Sequence, residues 1–275
     1  MARGRIATSL VTRLGSAGPT VHPDALVVEE PMEIRLDDHL VATTMRTPGH
    51  DYELAVGLCF ADGLLAGAPV RTVRYCATGS AVDTAFNVVS VSTGGVAPAP
   101  VARLQTTTSS CGLCGSASLQ ALCDRLSPVP TPPPPVDTDA LARAAAEARG
   151  RQVLFDQTGA IHAAAVFDPS SGAVSLVRED IGRHNAVDKV IGRLLLDGEL
   201  PATGRGLFVS GRASFEIVQK AWAGGFALVA SVSAPSVLAV DTARAAGLTL
   251  VGFLRGRQAN VYAPEPTMAA TAARR

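Results

Sequence analysis

Between residues 150 and 262, short runs of Val, Leu, Ala and Phe alternate with longer segments whose apolar positions recur at helical spacing. Strands separated by helices of this length bury both kinds of element only as one sheet with helices laid on its faces. The alternation therefore predicts a three-layer α/β sandwich. The expected strands are 206–210 (GLFVS), 226–232 (FALVASV) and 248–254 (LTLVGFL), preceded by a hairpin of 160–168 and 173–179 that turns at Pro169–Gly172. The expected helices are an alanine-rich one over 137–149, one over 184–198, one around 214–223 and one over 236–246. In the second of these, Val187, Val190, Ile191, Leu194 and Leu195 share a stripe and Gly198 supplies a stop; the last begins after Pro235 and ends at Gly247.

The first part of the chain reads as a smaller, strand-rich α+β unit over 25–105. Strands over 25–36 and 39–45 meet at an Asp37-Asp38 turn, with Pro31 implying an edge or a bulge. A helix follows over 50–65, with Leu54, Leu58, Ala61 and Leu65 at helical spacing and Asp51 and Glu53 in its first turn, where the helix dipole favours acids. Strands over 70–76 and 85–91 complete the unit. Residues 1–24 read as a flexible leader and 263–275 as a flexible tail. The stretch 106–136 breaks the pattern: a TTTSS run, a cysteine pair, a short helix over 116–126 and the segment SPVPTPPPPV at 127–136. Proline carries no backbone N–H, so that last segment is extended, either a linker or a rigid strap across a surface. Residues 137–262 form the α/β domain expected to bind a cofactor.

Lys plus Arg and Asp plus Glu are 24 each, a balance that argues against non-specific nucleic-acid binding. Hydrophobic residues make up 47% of the 275, ample for a sizeable core. The first 13 residues carry three arginines, but no continuous apolar stretch or cleavage site follows, so no signal peptide is read. No uncharged apolar run reaches membrane-spanning length, and the expected location is cytoplasmic. The odd number of cysteines (Cys59, Cys76, Cys111, Cys114 and Cys123) argues against a disulfide framework. Cys59 and Cys76 sit in patterns suited to small buried thiols.

Polar chemistry concentrates in four places. Cys111-Gly-Leu-Cys114 brings two thiols within reach of one atom or of each other. Four readings stand: half a zinc site, a thioredoxin-like redox pair, a structural pair, or a thiolate that carries a sulfur or acyl group on a mobile loop. The glycine-bearing polar setting favours the last. The run Arg178–Asn185 (REDIGRHN) precedes an amphipathic helix whose first N–H groups can hold an anion beside Arg183 and His184. Asp188, four residues past His184, is placed to fix its tautomer. The alternative is a capping network built on Asp180 or Asn185. Ser210, Gly211 and Arg212 lie between a strand and a helix, where open α/β sheets hold phosphate-bearing ligands; the bland alternative is surface pairing among Arg212, Glu216 and Lys220. The turn Ser233–Ser236 has a similar form. Finally, Phe253, Leu254, Arg255, Gly256, Arg257 and Gln258 end the last strand with donors suited to a phosphate or a purine carbonyl, or form an ordinary surface turn.

The segments CGLCG, REDIGRHNAVDKVIG (178–192), SGRASFEIVQKAWAGG (210–225), VSAPSVLAV (232–240), GLTLVGFLRG (247–256) and TPGHDYELAVGLCFADGLL (47–65) together resemble the formate dehydrogenase accessory sulfurtransferase family, FdhD, over residues 25–262. The resemblance implies a homodimer whose larger domain is similar to the cytidine deaminase fold. It implies a sulfur carrier that accepts sulfur from a cysteine desulfurase as a persulfide. The acceptor would be the molybdenum or tungsten bis-guanine-dinucleotide cofactor of formate dehydrogenase, bound as passenger and not as a resident group. Cys111 matches the persulfide cysteine, Cys114 its companion, and 253–258 the cofactor-contacting segment; many members carry Cys or Ala where Leu254 stands. Arg183, Arg212, Arg255 and Arg257 would supply donors to the dinucleotide. The deaminase zinc signature is missing from the sequence, so deamination is not implied, and the transfer itself needs no protein-bound metal. A cofactor chaperone without obligatory thiol chemistry and a thiol-redox or zinc-binding regulator are the alternatives.

Overall fold

The computed structural model describes residues 4–76, 80–82, 84–100, 126–129 and 135–264. The expectations for Cys111, Cys114, Cys123, most of the 116–126 helix and the end of the tail lie outside these residues.

Where a leader was expected, β1 (Ile6–Arg13) and β2 (Thr20–Val27) form an antiparallel hairpin in which Leu10 faces Pro23 and Ile6 faces Val27. The expected strand over 25–36 is therefore two strands, because the chain changes partner after Val27. β3 (Glu30–Leu36), β4 (His39–Arg46), β5 (Thr72–Tyr75) and β6 (Val88–Ser92) make a four-stranded sheet in the order β4-β3-β6-β5. Asp37 and Asp38 form the β3–β4 turn with φ of 43° and 68°. Met32, Ile34 and Leu36 alternate inward with Val89 and Val91, and α1 (Asp51–Ala61) covers them with Leu54, Ala55, Val56 and Leu58. The period of two in β3 against the near-continuous burial of α1 shows why this unit closes: the helix has a second neighbour on its other side.

That neighbour belongs to the larger layer. After α2 (Thr138–Gly150) and a short α3 (Val153–Thr158) comes β7 (His162–Phe167), then β8 (Val174–Asp180) and α4 (Arg183–Leu196). β9 (Gly206–Val209), α5 (Phe215–Ala223), β10 (Leu228–Ser231), α6 (Val237–Ala246), β11 (Thr249–Arg255) and β12 (Gln258–Ala263) complete it. The sheet order is β12-β11-β10-β9-β7-β8, with β9, β10 and β11 parallel and the flanking pairs antiparallel. The three strands read from the sequence thus lie side by side. Val187, Val190, Ile191, Ile217, Val218, Ala239 and Ala243 cover one face of the sheet, while Leu141, Ala144 and Ala148 of α2 pack against Ala165, Phe167 and Phe208 on the other. This is a helix–sheet–helix sandwich. Gly198 and Gly247 end their helices at positive φ (71° and 70°), as their placement predicted. Of the proline-rich segment, Ser127 accepts a hydrogen bond from the Trp222 indole at 2.8 Å and Val129 donates to the Ala246 carbonyl at 2.8 Å. Its start is a strap tied to the helical face. Among the described residues no helix is long and apolar enough to cross a membrane.

The two units meet where α1 crosses α4 with backbones almost touching. A Cβ on Gly57 would stand 1.9 Å from the Asp188 carbonyl oxygen, and one on Gly192 would stand 1.8 Å from that of Glu53. Neither contact can be relieved by a side-chain rotation, because the opposing atoms are backbone. Gly192→Ala is expected to force the helices apart and cost stability at or above the top of the roughly 1–3 kcal/mol usual for overpacking, read as a lowered urea midpoint. A cost below about 1 kcal/mol would show that the crossing yields easily.

Candidate functional site

The motif-bearing segments divide between a clamp and a crevice. In the clamp, Thr47, at the end of β4, is held on three sides: its N–H donates to Asp180 Oδ2 (3.2 Å), its hydroxyl accepts from Ile181 N–H (3.2 Å) and its carbonyl accepts from Lys189 Nζ (3.0 Å). Lys189 and Asp180 form an ion pair of 2.7 Å with both side chains fully buried. Asn185 donates to the Met45 carbonyl at 2.8 Å and to Asp180 Oδ1 at 3.0 Å, and Asp180 Oδ1 also accepts from Gly182 N–H. Of the capping alternative, Asp180 meets only the N–H of Gly182 just before α4, which carries no side-chain cap, and Asn185 serves as a donor across to Met45 instead. Arg46, also fully buried, is gripped by Asp51 through Nε (3.1 Å) and Nη2 (3.0 Å) and by Glu30 and Asn87. The two acids of the first turn of α1 therefore serve tertiary partners: Asp51 holds Arg46, and Glu53 holds Arg178 of β8 (Nη2–Oε1 2.8 Å).

Burial alone would raise the Glu53 carboxyl, but hydrogen bonds from Arg178 and His50, with their charges, more than reverse this and bring it from 4.5 to about 2. A depressed carboxylate stabilises the fold above its unfolded pKa, and that contribution disappears as pH falls through the folded value. Between pH 4.5 and about 2 the protein is expected to lose roughly 3 kcal/mol from this group. Urea unfolding across that window should show a shallower acid loss in Arg178→Ala; equal slopes would mean that the pair does not set the acid limb.

Two sequence expectations are corrected here. Asp188 does not orient His184: its carboxylate is turned to Lys220 (2.7 Å), while His184 Nε2 lies 3.1 Å from Ser214 Oγ and 3.8 Å from Glu216. Lys220 is accordingly no surface partner of Glu216; it is buried between Asp188 and Asp62. An i,i+4 spacing identifies helix neighbours but not what another helix inserts between them.

The crevice lies outside the carboxyl ends of β8, β9 and β10, where α4, α5 and α6 begin. The turns before α5 and α6 are joined by a bridge between Ala213 and Pro235, and Ser231 Oγ donates to the Gly211 carbonyl at 2.6 Å. Ser210 Oγ accepts from Ala163 N–H at 2.8 Å and lies 3.4 Å from His162 Nδ1. A Cβ on Gly211 would touch the His162 ring at 3.3 Å and Arg183 Cδ at 3.5 Å, so imidazole and arginine stem converge on this bare backbone. Arg212 stands exposed on the same turn. Burial, followed by the charges of Arg183 and Arg212, lowers the His162 pKa, which leaves the ring neutral at pH 7. Behind it opens a cavity of about 540 Å³ running toward α2 and α3, walled by Phe155, Phe208, Ile161, Ile181 and Val232. Of the expected site, Arg183, Ser210, Gly211 and Arg212 come together, with His184 at the neighbouring helix start.

The segment 253–258 takes a different place. It is the turn between β11 and β12, with Gly256 at φ 54° and Arg255 opposite Gln258. Leu254 is buried against α2, Phe253 is 41% exposed at φ 52°, and Arg257 is bound by the carboxylate of Asp139. Neither Arg255 nor Arg257 lines the cavity. Asp139 at the start of α2 binds Arg257, and Arg255 is exposed at the end of β11. Conversely, sequence reasoning passed over His162 and Gln152. The one signal for His162 was a lone imidazole at the head of an otherwise apolar strand, IHAAAVF. The buried pair of cysteines fits expectation: Cys59 is fully buried, with its thiol pushed up by burial, and Cys76 is 7% exposed.

The model of the FdhD/NarQ family matches residues 27–269. The chain is 48% identical over 276 residues to the sulfur carrier protein FdhD of Streptomyces avermitilis, covering 96% of this chain and 95% of that one. It is 47% identical over 265 residues to the sulfur carrier protein FdhD of Mycobacterium tuberculosis, covering 92% and 94%. A crystal structure described as that of a formate dehydrogenase accessory protein from Desulfotalea psychrophila superposes with a TM-score of 0.74 at 23% identity, over 95% of this chain and 99% of that one, which shows a common fold. With the clamp and crevice segments lying inside the matched range and relatives almost half identical along nearly their whole length, the chain belongs to the FdhD/NarQ family.

Proposed function

We propose that the chain is a sulfur carrier for the maturation of formate dehydrogenase. The observation that carries this reading is its 48% identity, across 96% of its length, to a protein named as a sulfur carrier, in a sequence that presents Cys111 and Cys114 with two residues between them. In this reading the Cys111 thiolate attacks the terminal sulfur of a persulfide on a cysteine desulfurase. The donor S–S bond breaks, the desulfurase leaves as a thiolate, and Cys111 holds the terminal sulfur as its own persulfide. The sulfur then passes to the molybdenum or tungsten bis-guanine-dinucleotide cofactor, the substrate of the reaction, before that cofactor enters formate dehydrogenase. Cys114 either resolves the transfer, its thiolate attacking Cys111 Sγ so that a Cys111–Cys114 disulfide forms and the outer sulfur leaves as sulfide to the cofactor, or supports it. A homodimer acting in the cytoplasm, and a larger layer akin to the cytidine deaminase fold, belong to the same reading through family resemblance.

The crevice supports the cofactor half. Arg183, Arg212 and the N–H groups that open α4, α5 and α6 suit phosphates, and Ser210 and Gly211 leave the backbone open to close approach. Arg255, Gly256, Arg257, Gln258, Phe253 and Leu254 enter this reading through family resemblance alone. The same phosphate-suited crevice would also serve the alternative, a cofactor chaperone without obligatory thiol chemistry. The test is to incubate the protein with a desulfurase and cysteine and weigh the tryptic peptides. The mass of one added sulfur on the Cys111 peptide, together with restored formate dehydrogenase activity in cells lacking the relative, supports the carrier. Restored activity without loading supports the chaperone.

A further inference from the structure

A second cavity, of about 310 Å³, opens on the smaller sheet beside the Asp37-Asp38 turn, with Ser90, Arg74 and Gly94 among its walls. Val89 and Val91 face α1, so the alternation of β6 turns Ser90 to the other face of the sheet. The register sets Arg35 of β3 and Arg74 of β5 on either side of it. Ser90 is only 4% exposed, and its Oγ has no hydrogen-bond partner among the described residues. Its flanking guanidinium groups are donors only, so the serine proton meets no acceptor there. Arg35 gives Nη2 to Glu33 but its buried Nε has no partner, and Arg74 makes no hydrogen bond or ion pair among the described residues. Buried donors left without an acceptor are costly, and this row of them points to a bound oxyanion.

The same cavity also carries the opposite charge. Asp37 is taken up by the fold, accepting from Thr93 N–H (2.8 Å), Thr93 Oγ1 and Ser92 Oγ (3.2 Å). Asp38 beside it is exposed at φ 68° and makes no hydrogen bond or ion pair among the described residues. Arg74 and Asp38 thus line one small cavity without pairing with each other.

We propose that this cavity binds a free α-amino acid, its carboxylate received by Ser90 Oγ–H and the Arg74 guanidinium and its ammonium by the Asp38 carboxylate. An α-amino acid carries its ammonium on the carbon next to its carboxylate and satisfies both signs at once through charge-assisted hydrogen bonds. A phosphate would set its charge against Asp37 and Asp38 and is disfavoured. The site is separate from the crevice and from Cys111, so its failure leaves the carrier reading untouched.

The experiment is isothermal titration of the full chain with the water-soluble proteinogenic amino acids in turn, and with acetate, methylammonium and phosphate. At least one amino acid should bind with a Kd of about 1 mM or tighter, and about tenfold or more better than any of those ions. Arg74→Gln, Asp38→Asn and Ser90→Ala should each weaken that binding by about tenfold. Ser90→Ala carries a second readout: the urea midpoint of the free protein should hold or rise, because the substitution removes a buried hydroxyl that has no partner. No amino acid binding below about 10 mM, phosphate binding as tight as the best amino acid, or affinity that survives all three variants would overturn the proposal. So would a lowered midpoint in Ser90→Ala, which would give the hydroxyl a partner within the fold.

Discussion

Cys111→Ser is expected to abolish sulfur loading. A thiol with an ordinary pKa of about 8.5 offers a useful thiolate fraction near neutrality, whereas a serine hydroxyl does not ionise in that range and cannot form the S–S bond that stores the sulfur. The effect should be complete for transfer and small for the fold, because the motif lies outside the segments of the sequence whose periodicity marks core strands and helices. Mass spectrometry should find no added sulfur at position 111, and the thermal midpoint should match wild type. Cys114→Ser should retain loading and lose part of the onward transfer. Full loading of Cys111→Ser, with the sulfur found on Cys114 or elsewhere, would remove Cys111 from its role.

Lys189→Met should be the most damaging change to the fold among single polar substitutions. The methionine fills most of the volume but leaves the Asp180 carboxylate buried without its counter-ion, and leaves the Thr47 carbonyl without the ammonium donor. Breaking one partner of a buried pair costs about 3–5 kcal/mol, a large share of the roughly 5–15 kcal/mol that holds a typical domain together. Asp180→Asn in the same background should recover part of the loss, since the uncompensated charge then disappears while hydrogen bonding from Thr47 and Gly182 can persist. Urea unfolding of the two single variants and the double variant measures this. A double variant as unstable as the sum of the singles would mean that the pair is not coupled.

The sequence was legible wherever a single element carried its own signal. Stripes such as Val187, Val190 and Ile191, and stops such as Gly198 and Gly247, placed the helices of the larger layer to within a few residues. Alternation placed β3. What escaped was set by partners distant in the chain. The β1–β2 hairpin, with Leu10 74% and Val21 69% exposed, packs too little apolar surface to show a core-facing pattern. β12 was missed because its turn read equally well as a ligand loop. The polar run 178–185 supplies the clamp, but its division of labour could not be read from spacing. Asp188 faces Lys220 from 32 positions away, and Asp180 holds Thr47 across 133.

That division has a consequence for how the two units respond to occupancy. Asp180 and Ile181 end the strand that reaches Thr47, and Arg183, two residues on, leans against the crevice backbone at Gly211. The same short run of chain is a wall of the crevice and the latch of the smaller sheet. Free energy contributed by a ligand at Arg183 therefore reaches the latch without a hinge or a relay, and a molecule bound to the larger layer also resists the peeling away of the smaller one. Filling the crevice and keeping the two halves shut are one thermodynamic event seen from opposite sides of a six-residue segment, Asp180 to Asn185.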